Sequence, residues 1–551
     1  MMSDNGKVVL IGLDGATFRV LRPLADAGVM PVMAGLLRDG ASGILRSTSP
    51  PVTCPAWPTM FTGVNPGKHG VYSFSFRDQR NGHTRTAASG DVAAPKIWNI
   101  IGDAGKRVCI LNVPITFPAE KVNGIMLTGF VSPEESPYVT WPASVSHELR
   151  DKFSDLSLNW AVLNYRPSKT DKREQHIRRI NELMALRCKQ FEYLVSRDEF
   201  DFCFLVHEYP DRVNHLFYHL LDPAYGAHRS AANQTSLKLL HEGFRELDAS
   251  LARLIERFGG DVNYIFVSDH GFDAVDRWVY VNNLLAQHGM LALKGLKTWA
   301  NLAARHLRVP SSLRARLGLE QDNPWYRHDP FRSPLVDYSR TKAFAGPQLE
   351  HAVYVNLQGR CPEGIVRSGQ ERETVKRQIV EILSGATDWR TGKPVFEQVW
   401  TREEIYSGPY LQDAPDVIYE LAPGYMTSNA VPPNLLLWGG FLRGLRPGWD
   451  VCGYHRPEGI FIASGPAFKK GGRLAVSLLD IAPTVLYLMG LPIPEYMDGR
   501  IIEEALDTEL LTSRTPATCD SAMSYERADE TTYTAEEQKE VLRRLEELGY
   551  L

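Results

Sequence analysis

The sequence predicts an α/β fold: a doubly wound, mostly parallel sheet with helices on both faces. Two observations predict it. Short β-rich apolar runs recur along the chain, and helical stretches separate most of them, as expected of strands joined by crossover helices. Polar residues follow several of these runs directly, and ligands bind at that edge in open sheets of this class.

The first elements illustrate the pattern. The run from Lys7 to Leu13 ends in Asp14 and Gly15, as a buried parallel strand does. Residues 17–38 then carry apolar side chains at helical spacing, with Pro31 as a candidate break and Gly40 as the stop. Further strands are predicted at 108–113, 125–127, 202–206, 264–267, 352–356, 417–420 and 459–463, and further helices at 173–195, 236–258, 372–383 and 478–489.

The 551 residues suit one large domain with insertions, or two to three smaller domains. We predict a domain over 1–500, interrupted at about 132–197 by a mostly helical cap and at 291–337 by a Lys- and Arg-rich segment. A solvated surface insertion is favoured for the second segment over a substrate-binding lid. Residues 501–551 are expected to form a linker, at 507–529, and a helical tail, at 536–548. The possible docking face of the tail comprises Val541, Leu542, Leu545 and Leu548.

Composition excludes several classes of protein. A net charge of −4 gives no reason to expect a nucleic-acid duplex or an anionic membrane as partner. The seven cysteines are scattered and form no CxxC pair, so neither a disulfide framework nor a thiolate zinc site is predicted. No signal peptide and no apolar run long enough to span a membrane are found, which favours a cytoplasmic location. The oligomeric state is not predicted.

Candidate functional residues follow the strands. Asp14 closes the first one, although an Asp before Gly is also common turn chemistry. Thr53, in PPVTCPAWPTM, precedes a helical stretch, where unpaired N–H groups and the helix dipole stabilise an alkoxide and a bound phosphate. An ordinary N-cap is the alternative for Thr53.

The other candidates are acidic and histidine residues. Asp211 and His215 are four apart, so on a helix they share a face and can chelate one ion; a solvent-exposed pair is the alternative. Asp269 and His270 end a strongly hydrophobic run, where a metal would offset the cost of burying them. His455 lies in a loop before another buried strand.

Together these residues indicate a two-metal hydrolase of phosphate esters. Oxygen and imidazole ligands suit zinc or manganese. Two ions about 4 Å apart activate a nucleophile and hold phosphoryl oxygens at the same time. A threonine hydroxyl needs such activation to attack phosphorus.

The motifs LDG, TCP, DRVNH, SDHG and GYH, in this order, resemble those of the alkaline phosphatase superfamily, in its type I phosphodiesterase/nucleotide pyrophosphatase branch. The chain is most similar to the phosphohydrolase/phosphomutase group there. The resemblance implies one divalent ion, Zn²⁺ or Mn²⁺, on Asp211, His215 and His455. It implies a second ion on Asp14, Asp269 and His270 with Thr53, which would form a covalent phosphothreonine intermediate.

One departure concerns the phosphate pocket. Members of this branch carry an Asn shortly after the nucleophile, and the corresponding HGVYSFSFRD has none. We expect Lys68, His69 or Arg77 to bind the phosphate instead. The sulfatase sequence C/S-x-P-x-R is also missing, because Pro55 follows Cys54 directly, so sulfate ester hydrolysis is rejected.

The leading prediction is hydrolysis of a phosphodiester or pyrophosphate in a small molecule. Phosphomonoesterase and phosphomutase or phosphoryl transferase activities share the ligand set, and a non-catalytic binding protein is the alternative of another class. A diester is favoured because no Arg lies close to Thr53 in the sequence. Apolar walls for its second substituent are expected from Trp57, Phe61, Tyr72, Phe74 and Phe76.

Overall fold

A central nine-stranded sheet organises the molecule. The computed structural model describes residues 6–77, 84–154, 156, 170–225, 233–295, 313, 333, 335–347, 350–432, 440–445, 452–520 and 533–547. The strands of the central sheet and of the small β3–β4 and β20–β21 pairs are β1 (Lys7–Leu13), β2 (Ala41–Arg46), β3 (Ser75–Arg77), β4 (Thr84–Thr86), β5 (Val108–Val113), β6 (Gly124–Thr128), β7 (Thr140–Trp141), β8 (Phe202–His207), β9 (Val262–Val267), β18 (Glu458–Ser464), β19 (Arg473–Ser477), β20 (Ile493–Pro494) and β21 (Thr518–Cys519).

Two further sheets lie beside it. The first contains β10 (Gly271–Tyr280), β15 (Gly424–Ser428), β16 (Leu442–Gly444) and β17 (Gly453–Arg456). The second contains β11 (Ala343–Ala345), β12 (Ala352–Val355), β13 (Phe396–Thr401) and β14 (Val417–Leu421). The predicted strands at 352–356 and 417–420 therefore exist, but they pair with each other outside the main sheet.

Helices connect most of these strands. The α-helices are α1 (Phe18–Asp26), α2 (Pro31–Asp39), α3 (Thr53–Thr62), α4 (Pro66–His69), α5 (Ile97–Asp103), α6 (Ser144–Phe153), α7 (Thr170–Ser196), α8 (Tyr209–Leu221), α9 (Gln234–Phe258), α10 (Val281–Gln287), α11 (Gln370–Ser384), α12 (Arg402–Ile405), α13 (Ile481–Leu488), α14 (Thr508–Ser513) and α15 (Ala535–Glu547). Short 3₁₀ helices occupy Ser89–Asp91, Pro223–Tyr225, Tyr338–Arg340, Leu411–Asp413, Leu478–Asp480 and Glu503–Ala505.

The strand order explains where polar residues can gather. The central sheet runs β19-β2-β18-β9-β1-β8-β5-β6-β7. Strands β8, β1 and β9 are adjacent and parallel, so their carboxyl ends meet at one edge. Strand β18 runs antiparallel to both β9 and β2, so it begins at the edge where those two strands end. Residues that precede β18 therefore join residues that follow β1, β2, β8 and β9.

The fold class is confirmed as mixed α/β with a mostly parallel sheet, and several local predictions needed correction. The helix predicted over 17–38 is two helices, because Gly28 adopts a φ of 67° and Pro31 starts α2. These two helices meet at 108°, and among the described residues no single helix is long and apolar enough to cross a membrane. Strands β2 and β19 were not predicted at all.

Of the two predicted insertions, most of 132–197 lies within the described residues, whereas most of 291–337 does not. Within 132–197 the described residues include the helices α6 and α7, and β7 adds the terminal strand of the central sheet; residues 155 and 157–169 lie outside the described residues. Within 291–337, Leu293 and Val336 form an isolated β-bridge. Residues 296–312 and 314–332, with Trp299, Trp325 and Tyr326, lie outside the described residues.

The described residues of the C-terminal part include regular secondary structure. Helix α14 and strand β21 lie inside the segment predicted as a linker, and β21 pairs with β20. Helix α15 buries Val541 and Leu545, two members of the predicted docking face, whereas Leu542 is only partly buried and Leu548 lies outside the described residues.

Candidate metal centre and active site

The first group of candidate ligands joins α8 to β17. Asp211 and His215 lie on one face of α8, with His215 Nε2 3.3 Å from Asp211 Oδ1. His455, on β17, brings its Nε2 to 3.0 Å from His215 Nε2 and 3.5 Å from Asp211 Oδ1. One ligand atom from each residue lies within 4.8 Å of the others, which is close enough for one ion.

The second group lies where β1 and β9 end. Asp14 follows β1, and Asp269 and His270 follow β9. His270 Nε2 lies 3.3 Å from Asp269 Oδ2 and 3.7 Å from Asp14 Oδ1. All three residues are buried, and their ligand atoms again lie within 4.8 Å of one another.

The two groups are contiguous, and Thr53 adjoins them. The rings of His270 and His455 stack with their centroids 3.6 Å apart. Thr53 Oγ1 lies 3.3 Å from His270 Nε2. Helix α3 begins at Thr53 itself, earlier than the sequence suggested, with Val52 as an N-cap that makes no side-chain bond. Thr53 is therefore not an N-cap, and its hydroxyl lies at the helix N-terminus beside the second group.

Gly15 connects the backbone of both groups. Its N–H donates to Asp269 Oδ1 at 3.2 Å, and its carbonyl accepts from Asn214 Nδ2 at 3.0 Å. Its φ is 63°, in the left-handed region that favours glycine. A Cβ at this position would come within 2.6 Å of the Phe272 ring and 3.0 Å of Asp211 Cα, so only glycine fits.

Hydrogen bonds fix the orientation of two imidazoles. His455 Nδ1 faces the Pro51 carbonyl at 3.1 Å, and His270 Nδ1 faces the Gly271 carbonyl at 3.2 Å. A carbonyl can only accept, so each Nδ1 carries the proton and each Nε2 keeps its lone pair. Burial lowers the pKa of His270 to about 4 and that of His455 to about 3, which keeps both rings neutral at pH 7.

The pKa values of the three carboxyl groups shift in different directions. Burial raises the pKa of Asp14 well above its usual range, and the charge of Asp269 adds to the rise. Burial also raises the pKa of Asp269 to about 7. For Asp211 burial acts in the same direction, but the neighbouring His215 holds its pKa well below the usual range. For Asp14 and Asp269, burial and neighbouring carboxylates therefore outweigh the opposing effects of Arg212 on Asp14 and of the Gly15 N–H on Asp269.

These features fit divalent cations. Two carboxylate oxygens, Asp14 Oδ1 and Asp269 Oδ2, are buried. Neither receives a hydrogen bond from the described residues. A metal ion compensates such buried oxygens, and neutral imidazoles with free Nε2 lone pairs complete its coordination. The donor set of carboxylates and imidazoles suits Zn²⁺ or Mn²⁺.

The structure gives Lys68 and His69 other partners. Lys68 Nζ donates to the Tyr496 carbonyl at 2.8 Å and forms an ion pair with Asp498 at 2.5 Å. His69 is fully buried; its Nδ1 accepts from the Val71 N–H, and its Nε2 therefore donates to Thr59 Oγ1. Thr59 lies six residues after Thr53, about 9 Å along the helix. Both side chains are therefore engaged with other groups in this structure, and phosphate binding by Lys68 and His69 stays a prediction.

The expected aromatic walls are partly core. Trp57 packs on Phe204, and Phe61 packs on Trp98, all of them buried. Tyr72 and Phe74 are also buried, against Tyr406 and Phe130 respectively, and Phe76 is partly buried. Trp57 and Phe61 thus support the sheet and cannot line a substrate pocket.

Two residues near the site were missed. Arg212 lies 3.4 Å from Asp211 Oδ2, and Asn214 holds the Gly15 carbonyl. Both residues are buried within DRVNH, between the two ligands Asp211 and His215. A buried polar residue inside a ligand motif is the signal that would have found them.

A family model described as type I phosphodiesterase/nucleotide pyrophosphatase matches residues 8–434. The chain belongs to this family. It is therefore a phosphodiesterase/nucleotide pyrophosphatase-type hydrolase that acts on phosphate esters. This family is metal-dependent, and the buried Asp and His groups described above are able to bind metal. No curated protein matches the chain.

A solved structure shows the same fold, and a second one is similar. Phosphonoacetate hydrolase from Sinorhizobium meliloti, in complex with phosphonoformate, aligns with a TM-score of 0.51 and 14% identity over 87% of this chain and 94% of its own. Murine ectonucleotide pyrophosphatase/phosphodiesterase 5, an inactive variant in complex with AMP, aligns with a TM-score of 0.49 and 14% identity over 91% of this chain and 100% of its own.

Proposed function

We propose that this protein hydrolyses phosphodiester or pyrophosphate bonds of small molecules, with two metal ions and Thr53 as nucleophile. One observation carries the proposal: the two ligand groups adjoin through His270 and His455, and the Thr53 hydroxyl lies 3.3 Å from His270 Nε2. A hydroxyl beside two contiguous metal sites is the arrangement that phosphoryl transfer to a protein side chain requires.

Six residues would hold the metals. Asp211, His215 and His455 would hold one ion, and Asp14, Asp269 and His270 the other, with the Thr53 oxygen beside the second. When bound, Zn²⁺ or Mn²⁺ would lower the pKa of the Thr53 hydroxyl and neutralise charge on the phosphoryl oxygens.

Backbone groups of the protein can position the phosphoryl group. Helix α3 starts at Thr53, so the N–H groups of Thr53 and Cys54 have no partner within the helix and can donate to phosphoryl oxygens. The bond from Thr53 Oγ1 to phosphorus forms as the bond to the leaving group breaks, and the leaving group departs with the proton that Thr53 loses. Water then cleaves the phosphothreonine and returns a proton to Oγ1.

Turnover of bis-p-nitrophenyl phosphate tests this function. Purified protein is expected to lose activity with a chelator and to regain it with Zn²⁺ or Mn²⁺. The variant His455→Ala is expected to be inactive, whereas His288→Ala, an exposed histidine on the same chain, is expected to be fully active. Full activity in chelator with no bound metal would refute the mechanism.

A further inference from the structure

Asp211 presents its two carboxylate oxygens to different partners. Oδ1 faces the imidazoles of His215 and His455, at 3.3 Å and 3.5 Å. Oδ2 faces Arg212 Nη1 at 3.4 Å, and the side chains of Asp211 and Arg212 are both almost fully buried. The carboxylate is therefore held from the side opposite the proposed ion.

This ion pair joins consecutive residues of one helix. Side chains at i and i+1 point in different directions from a helix, so they do not meet unless something else bends one of them. The guanidinium of Arg212 lies over the ring of Phe130, with Cζ 4.6 Å from the ring centroid. A planar guanidinium stacks well on an aromatic face, and this contact directs Arg212 back toward Asp211.

Phe130 is itself held in place. Its ring packs edge to face against Phe74, with centroids 5.6 Å apart. Glu208, one helical turn before Arg212, is a second buried carboxyl group. Burial raises the pKa of Glu208, and the positive charge of Arg212 opposes that rise. Arg212 thus supplies positive charge to both Asp211 and Glu208 inside the protein.

The C-terminal segment Tyr533–Glu547 fixes the loop that carries Phe130. Tyr533 Oη donates to the Val131 carbonyl at 3.0 Å, and Arg544 Nη1 donates to the Ser132 carbonyl at 2.8 Å. Both bonds are buried, and Tyr533 also stacks on Phe117 with centroids 5.0 Å apart. Because the acceptors are backbone atoms, the loop cannot shift without breaking these bonds.

We infer that Arg212 is a positioning residue for Asp211, and that the C-terminal segment holds Arg212 in place through residues 130–132. This inference rests on the proposed function, since it treats Asp211 as a metal ligand. Held at Oδ2, the carboxylate keeps Oδ1 toward the two imidazoles. Without Arg212 it would rotate freely, and its site would bind metal less tightly.

Zn²⁺ affinity, measured on the metal-free full chain by competition with a chromogenic chelator, tests the role of Arg212. Arg212→Met is expected to weaken binding at one of the two sites by about 10- to 100-fold. Arg212→Lys is expected to recover part of this loss, because it restores the charge but not the planar face. The control Arg178→Met, an exposed arginine on α7, is expected to bind as the wild type does.

A second pair of variants tests the C-terminal segment. Tyr533→Phe removes only the hydroxyl that bonds to residues 87 and 131, and it is expected to weaken the same site by a few-fold. Tyr138→Phe, at an exposed tyrosine, is the matched control. Wild-type affinity in Tyr533→Phe would overturn the role of the C-terminal segment.

His455→Ala separates the inference from the proposed function. If His455→Ala loses Zn²⁺ and Arg212→Met does not, the proposed metal site stands and the role of Arg212 is wrong. If His455→Ala binds Zn²⁺ as the wild type does, the proposed function fails first. Should Arg212→Met fail to fold, Arg212→Lys alone decides: weaker Zn²⁺ binding than in the wild type supports the role of Arg212, and wild-type affinity overturns it.

Discussion

The imidazoles of His270 and His455 stack with their centroids 3.6 Å apart and their planes at 22°. His270 belongs to one candidate metal group and His455 to the other, so the two groups are in direct contact through these rings. A change in either ring alters the packing of the other. The two groups are therefore expected to behave as one centre when either is perturbed.

The Thr53 hydroxyl is predicted to be essential for turnover. Thr53→Ala removes the attacking oxygen and is expected to reduce kcat by at least ~10³-fold. Thr53→Ser keeps a hydroxyl and should retain part of the activity. Circular dichroism and metal content serve as controls and are expected to match the wild type. Activity of the alanine variant within about tenfold of wild type, a barrier change below about 1.4 kcal/mol, would exclude Thr53 as nucleophile.

Metal analysis of the purified protein is predicted to give two ions per chain. His455→Ala is expected to empty one group preferentially, because only Asp211 and His215 remain there. The exposed His288→Ala should keep both ions. Plasma emission spectrometry measures the stoichiometry, and a value near zero in a fully active preparation would rule out the two-metal centre.

Gly15→Ala is predicted to disturb both groups at once. Its Cβ would overlap the Phe272 ring at 2.6 Å and approach Asp211 Cα at 3.0 Å. Phe272 packs against the rings of both His215 and His455, so the overlap displaces ligands of the first group. The variant is expected to bind both ions more weakly, by titration calorimetry. Gly105→Ala is a control, since Gly105 also has a positive φ but no atom would lie within 4 Å of its Cβ. Equal metal affinity in the two variants would contradict the expectation.

Diesters are predicted to be hydrolysed faster than monoesters. A monoester carries two negative charges and needs additional cations around the phosphoryl oxygens. Lys68 is paired with Asp498, and Arg212 is paired with Asp211, so neither is placed to serve a second charge. Matched kcat/KM values for p-nitrophenyl phosphate and a p-nitrophenyl diester measure the preference. A higher value for the monoester would place the phosphatase or phosphomutase alternative first.

Asp416 is predicted to be important for stability. It is fully buried and accepts from Arg360, from Arg372 at 2.6 Å and from the Val355 N–H at 2.8 Å. Asp416→Asn leaves buried arginine charge uncompensated and is expected to cost about 3–5 kcal/mol of unfolding free energy. Urea denaturation measures the loss. Asp103→Asn, on an exposed turn of α5, should change stability little.

The pH dependence of this effect has a definite sign. Burial alone would raise the pKa of Asp416, but Arg360 and Arg372 hold it below its usual value. A carboxyl group with a lowered folded-state pKa stabilises the fold above its unfolded pKa of about 3.9, and this contribution disappears as pH falls through the folded pKa. The difference in stability between wild type and Asp416→Asn should therefore shrink in acid. A difference that grows below pH 4 would contradict this account.

Much of the sheet was predictable because buried parallel strands are continuous apolar runs. Strands β1 and β5 have the predicted bounds. Strand β2 was missed because Ser42 and Gly43 interrupt its apolar pattern. The structure requires that glycine, since a Cβ on Gly43 would meet the Leu474 carbonyl at 2.1 Å, where β19 pairs with β2.

Some features of the candidate site were also predictable from the sequence, and others were not. The six Asp and His residues and Thr53 lie close together, as the sequence predicts from strand ends that meet at one edge of the sheet. The structure pairs Lys68 with Asp498 and His69 with Thr59, and sequence proximity to Thr53 could not show these contacts. Arg212 was overlooked because its contact with Asp211 depends on Phe130, from a distant part of the chain.

Strand β18 also bears on how the protein is made. It fills the place between β2 and β9, yet it comes after both additional sheets in the chain. On the ribosome, a nascent polypeptide that stops short of residue 455 has the candidate ligands Asp14 and Asp269, which follow β1 and β9, but neither His455 nor the strand between β2 and β9. The complete candidate centre is therefore assembled only after residue 455 has been synthesised, and a shorter translation product would carry Thr53 without the full set of candidate ligands.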